Sequence, residues 1–162
     1  MNIDDKAAVL QSEISKSIEV LKKIESYYDQ FFQEEFEKEK RKLSQAIVFS
    51  DLICNYYTGL ETIFFRISQF FENNLLQDKW HQDLLQKMTL NIPGLRPSVI
   101  SDFTYHLLLE LLKFRHFKRY YFALNYDWDK LEFVQKKYEQ LKIRIYEELD
   151  RFLDYLNKLN QS

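Results

Sequence analysis

The sequence predicts an all-α fold: an antiparallel up-and-down bundle of four long helices and one short one. Three observations carry that expectation. Gly and Pro number two each in 162 residues, far below the usual ~7% and ~5%, which argues against a turn-dense β architecture and excludes collagen-like, Gly-Ser linker and Pro-rich classes. Hydrophobic residues make up 46% and charged residues 30%, too apolar a mixture for a disordered chain. Apolar residues also recur at steps of three and four over long stretches with no breaker between them. A chain of this length makes one domain, residues 1–162, and buries about 68–70% of its unfolded surface.

The first segment has an apolar stripe at Ile3, Ala7, Leu10, Ile14, Leu21, Ile24, Tyr28 and Phe31, with polar Ser17 filling the missing beat. That spacing predicts a helix packed along one seam from about residue 3 to about 38. The run from Glu34 to Lys42 mixes both charges and reads as a solvated bend. The second segment, about Leu43 to Asn74, is apolar on several sides: Ile47, Leu52, Ile53, Tyr57, Leu60, Ile63, Phe64, Ile67, Phe70 and Phe71. Such a helix belongs near the centre. Gly59 lies inside it, and Gly in a helix costs ~1 kcal/mol relative to Ala, so a neighbour is expected close to the backbone there.

The third segment is a short helix with Trp80, Leu84, Leu85 and Met88 on one face. It stops at Asn91 to Pro97, the one Pro-Gly cluster of the chain and its clearest loop. The fourth begins near Ser98 or Ser101, either suited to an N-cap, and is expected to run through to about Leu124. The fifth opens at Asp127, with a stripe at Leu131, Val134, Tyr138, Leu141, Ile145, Leu149, Phe152 and Leu156. Short connections make sequential helices antiparallel.

Net charge is −2, so the chain as a whole is no polyanion binder, although a local patch remains possible. The single cysteine, Cys54, excludes an internal disulfide and a Cys-rich zinc site. The acidic start lacks a basic, apolar leader, and no window offers the ~18 apolar residues of a membrane span. The expectation is a cytoplasmic protein with no membrane association.

One stretch departs from the average. Leu111 to Tyr126 contains no Asp or Glu, while Lys113, Arg115, Lys118 and Arg119 fall close together with His116 among them. Phe114, Phe117, Tyr120, Tyr121 and Phe122 are interleaved with these cations. On a helix Arg115 and Arg119 share a face, and His116 lies above Tyr120 on the adjacent one. Two readings stand open. The cations are suited to phosphate and the rings to bases, as in RNA contact; equally, cations complement the C-terminal half of a helix, and the rings belong to the core.

Other chemistry is thinly represented. His81, His106 and His116 do not form a metal set, since the last two lie ~15 Å apart along one helix. Cys54 reads as a core thiol with no local base. There is no Gly-rich phosphate loop and no nucleophile elbow. No metal or cofactor is expected.

Four strings in series, YYTGLETIF (Tyr56 to Phe64), WHQDLLQKM (Trp80 to Met88), GLRPSVIS (Gly94 to Ser101) and FRHFKRYYFALNYDWDKL (Phe114 to Leu131), give more than any one alone. In this order and spacing the chain resembles the HepT-like group of the HEPN superfamily, over about residues 40–160. The resemblance implies a small helical bundle, usually a dimer, encoded beside a nucleotidyltransferase-fold partner. Many such proteins are toxins, metal-independent ribonucleases neutralised by that partner. It also implies that the helix carrying the Arg…His signature pairs with its copy to form a composite RNA cleft.

Carried over residue by residue, Arg115 matches the signature Arg, Arg115-His116 matches a pair frequent in the group, and Arg119 matches as well. The family's catalytic His position is Tyr120 here, and the Tyr that a partner modifies is Phe122. The candidate catalytic residues are therefore Arg115, His116 and Tyr120, and the cationic, aromatic stretch supplies Lys113, Lys118, Arg119 and Tyr121 as candidates for RNA or phosphate binding. The expected function is an RNA-binding HepT-like protein of a toxin–antitoxin or defence module with weak or lost ribonuclease activity. An active metal-independent endoribonuclease is the first alternative, and a helical scaffold without RNA the second. The aromatic and aliphatic surplus predicts a homodimer, or a complex with the partner, burying more than ~1,200 Å².

Overall fold

The computed structural model describes residues 2–72, 80–120 and 124–162. Its helices are α1 (Ile3–Glu34), α2 (Leu43–Glu72), α3 (Trp80–Met88), α4 (Asp102–Lys118) and α5 (Trp128–Asn160), with one 3-10 turn at Lys38–Lys40. Among the described residues there is no strand, only an isolated bridge between Ile92 and Arg96.

Local chemistry sets most of the helix ends. Asp127 caps α5 by accepting from the backbone N–H groups of Asp129 and Lys130 at 3.0 and 3.3 Å. Ser101 caps α4 by accepting from Thr104 N at 3.1 Å. That cap is buttressed by the buried Glu148 of α5, which accepts from Ser101 N at 2.7 Å and Thr104 Oγ1 at 2.6 Å. The mixed-charge bend ends α1 early, at Glu34, and turns through Arg41 in the left-handed region (φ 43°). The fourth helix also stops short of the expected Leu124. Its end tightens into a turn in which Tyr120 N donates to Phe117 O at 2.9 Å. Leu124 then has φ 59°, a backbone no right-handed helix contains. Arg119 is therefore the C-cap and Tyr120 lies beyond it, while Tyr121 and Phe122 fall outside the described residues.

The four long helices form a ring. Arg66 on Ser17 at 3.3 Å and Gly59 against Leu21 set α2 antiparallel to α1. Lys142 on Asp29 at 3.2 Å and Asn160 on Gln11 at 3.1 Å set α5 antiparallel to α1. Thr104 on Glu148 and Lys130 over the Phe117 ring at 3.0 Å set α4 antiparallel to α5. Contacts of Arg115 with Glu61 and of Lys118 with Asp51 do the same for α4 and α2. Across the ring α2 and α5 run parallel, meeting through Tyr56 and Tyr138 (centroids 5.1 Å apart) and Phe71 and Phe152 (6.1 Å).

The stripes enter one core as expected, with exceptions. Ile3 is exposed where α1 begins, Ile18 rather than Ser17 fills the buried beat between Ile14 and Leu21, and Ile47 of α2 faces outward. All eight stripe residues of α5 are buried.

Short α3 rests on α2 and α4, and its far end is fixed by Arg96. This guanidinium, 2% exposed, pairs with Glu72 at the end of α2 (Nε–Oε1 3.0 Å). It also donates to the carbonyls of Lys87 (3.1 Å), Leu90 and Pro97 (both 3.2 Å). Carbonyls left over where a helix ends need partners, and Arg96 supplies them inside the Pro-Gly loop.

Candidate functional site: a cationic cleft at the end of helix four

Arg115 leaves the last turn of α4 toward α2. Its side chain is 15% exposed and grips the carboxylate of Glu61, itself 7% exposed. Nη1 reaches Glu61 Oε1 at 3.2 Å and Nη2 reaches both carboxylate oxygens at 3.2 Å. Nη1 also donates to Thr58 Oγ1 at 3.1 Å, and the guanidinium lies over the Tyr57 ring, 4.6 Å from its centroid. Two further groups converge on the same carboxylate: Tyr57 OH donates to Oε2 at 2.8 Å, and His81 Nδ1 lies 2.8 Å from Oε2. Burial, then the charge and hydrogen bond of Glu61, push the Tyr57 phenol far above its ordinary range, so Tyr57 remains a donor. A buried carboxylate with several charge-assisted partners is held firmly in place.

Outside this knot lies a cleft of about 430 Å³ lined by Cys54, Thr58, His81, Arg115, Lys118 and Arg119. Lys118 reaches Asp51 on the rim at 3.5 Å. Arg119 is exposed and meets no carboxylate among the described residues. Burial raises the Cys54 thiol, against the opposing pull of Lys118 and Arg115. A second groove, about 450 Å³, lies beside the first and is lined by Leu109, Leu112, Lys113, His116, Phe117 and Lys130, with His81 again on its wall.

The structure thus brings Arg115, Lys118 and Arg119 to one cleft, and Arg115 and Arg119 do face it together. Lys113 and His116 belong to the neighbouring groove, with Lys113 paired to Glu110 at 3.1 Å. Tyr120 is 66% exposed, its ring edge-on to His116 with centroids 5.6 Å apart. Tyr121 lies outside the described residues. Sequence reasoning missed Glu61 and weighed His81 only as a metal ligand. The available signal was an acid standing alone in an apolar helix, since Glu61 is the only carboxylate from Ile53 to Ile67. Among the described residues no group of three or more His, Cys, Asp or Glu side chains is placed to hold a metal ion, and no helix is long and apolar enough to cross a membrane.

No curated protein and no solved structure matches the chain. A family model described as HepT-like protein matches residues 48–156, a span that runs from α2 to near the end of α5 and takes in both Glu61 and Arg115. The helical bundle and this match agree, and the chain belongs to the HepT-like protein family.

Proposed function

We propose that the protein is the HepT-like member of a toxin–antitoxin or defence module, acting in the cytoplasm with a nucleotidyltransferase-fold partner. In this reading it forms a homodimer, binds RNA in the cationic cleft and has little or no ribonuclease activity. The observation that carries the reading is the division of labour among its cations. Glu61 already neutralises Arg115 inside the fold, so Arg115 shapes the wall of the cleft. Arg119, and Lys118 in exchange for its exposed rim partner Asp51, are left to meet phosphate oxygens from outside. Tyr120, at the position where the family places its histidine, offers a phenol in place of an imidazole and so no comparable acid–base group. Losing a positioned acid–base group typically costs 10²–10⁴-fold, so the expected cleavage is feeble.

The test is binding of a labelled single-stranded RNA, followed by fluorescence anisotropy over a salt series. Lys118→Ala with Arg119→Ala should weaken binding at least tenfold. It should also lower the slope of log K against log salt by about 1.4, two contacts at ~0.7 each. Unchanged affinity with full salt sensitivity places the RNA elsewhere and defeats the proposal.

A further inference from the structure

His81 stands where the two cavities meet, and its surroundings fix how its ring can work. Nδ1 has two neighbours, Glu61 Oε2 at 2.8 Å and Arg115 Nη2 at 3.2 Å. A guanidinium nitrogen only donates and a carboxylate oxygen only accepts, so one ring nitrogen cannot serve both. The shorter contact is to the carboxylate, which makes Nδ1 the protonated nitrogen. The lone pair of the neutral ring then belongs to Nε2, on the side away from Glu61. Trp80 packs on the ring face with centroids 3.8 Å apart, and the side chain keeps 32% exposure. A ring held by a carboxylate at one nitrogen, with no hydrogen bond at the other among the described residues, is poised to move protons.

We infer that His81, oriented by Glu61, is the proton-transfer residue of this cleft, and that what ribonuclease activity the protein has runs through it. The inference rests on the proposed RNA-binding reading and adds to it a residue on α3, outside the Arg…His stretch of α4. With a phosphodiester on Lys118 and Arg119, Nε2 takes the proton of the ribose 2′-OH. The 2′-oxygen forms a bond to phosphorus, the bond from phosphorus to the 5′-oxygen breaks, and the leaving oxygen keeps the electron pair and takes a proton from water. The imidazolium returns its proton to the hydroxide so formed. The products are a 2′,3′-cyclic phosphate and a 5′-hydroxyl, with no oxidant or reductant consumed. Glu61 is a positioning residue: it touches the ring and leaves the substrate alone.

The experiment is single-turnover cleavage of a labelled single-stranded RNA by the full chain, with end-group analysis and parallel binding measurements. His81→Ala should keep RNA affinity within about twofold and lose cleavage by about 10²-fold or more. Added imidazole should restore part of the lost rate, a response a merely structural role would not give. His81→Gln serves as the second variant should the alanine protein fold poorly, and His106→Ala, an exposed histidine elsewhere on α4, should cleave as wild type. In Glu61→Gln the ¹⁵N signature of His81 should lose its Nδ1–H preference. Wild type that binds RNA without cleaving it overturns the inference and leaves the binding reading standing. Cleavage that survives in both His81 variants overturns it as well. Failure to bind RNA at all overturns the reading underneath.

Discussion

Three side chains from three helices, Tyr57, His81 and Arg115, each turn a polar atom to Glu61, and this leaves the cleft's other residues in distinct electrostatic positions. Cys54 shows the balance most directly. Two cations nearby favour its thiolate, burial opposes it, and burial is the larger effect. The thiol therefore remains protonated under conditions where an exposed cysteine has begun to ionise, near pH 8.5. Reaction with a thiol-exchange reagent at pH 8 should be at least about tenfold slower in the native protein than in urea. Lys118→Met, which removes a favourable charge, should slow it further; a native thiol that reacts at the denatured rate contradicts the placement. At this scale the sequence showed half of the site. A stretch without acids is visible in one dimension, so the cations of α4 were legible. Their partner was not, because Glu61 and Arg115 stand fifty-four positions apart and only the packing of α2 on α4 joins them.

The pairing of α1 and α2 depends on a missing side chain. A Cβ at Gly59 would come within 2.7 Å of Leu21 Cδ2, and Leu21 is fully buried, so its tip has little room to turn aside. Gly59→Ala gains up to ~1 kcal/mol of helix propensity and incurs an overpacking cost of ~1–3 kcal/mol. Urea unfolding should show a net loss of about 1 kcal/mol. In a Leu21→Ala background the same change should become neutral or stabilising, and additive effects would show that the two positions are not coupled. The close approach was legible as a Gly in an otherwise unbroken apolar helix. The end of α4 was not: nothing in the string after Lys118 forbids a helix, yet the chain turns at Arg119 and Tyr120, and Leu124 has a left-handed backbone. The early end of α1 has the same character, since charged residues tolerate helix and bend alike.

For the molecule as a whole, aromatic burial has a consequence at high pH. Burial pushes the phenols of Tyr28, Tyr56, Tyr57, Tyr138 and Tyr146 far above their ordinary values. A raised folded-state pKa means that the native protein holds its protons more tightly than the unfolded chain. This contribution to stability is complete below about pH 10, the unfolded value, and is lost as pH rises above it. These tyrosines should ionise together with loss of helix, so that absorbance at 295 nm and ellipticity at 222 nm change in one step. Smooth ionisation of all tyrosines near pH 10 with the helix signal intact would contradict their burial. The bundle class was legible because period and breaker content are local properties. The ring order was less so: each stripe says that a helix has a buried face, but which helix covers it is decided by shapes such as the Gly59 notch.

Glu61 and Glu72 stand eleven residues apart on α2, three turns of helix, and so on nearly the same side. One meets His81 at the start of α3; the other meets Arg96, whose guanidinium also closes the end of α3. The short helix is thus indexed at two marks, as a template is set on two pins. Sliding α3 by one residue would carry His81 ~1.5 Å along and ~100° around the helix, away from Glu61, and would take the Lys87 carbonyl away from Arg96. The alignment of His81 with the cationic cleft is therefore an all-or-nothing choice of register, secured in part by a buried arginine that never touches the cleft.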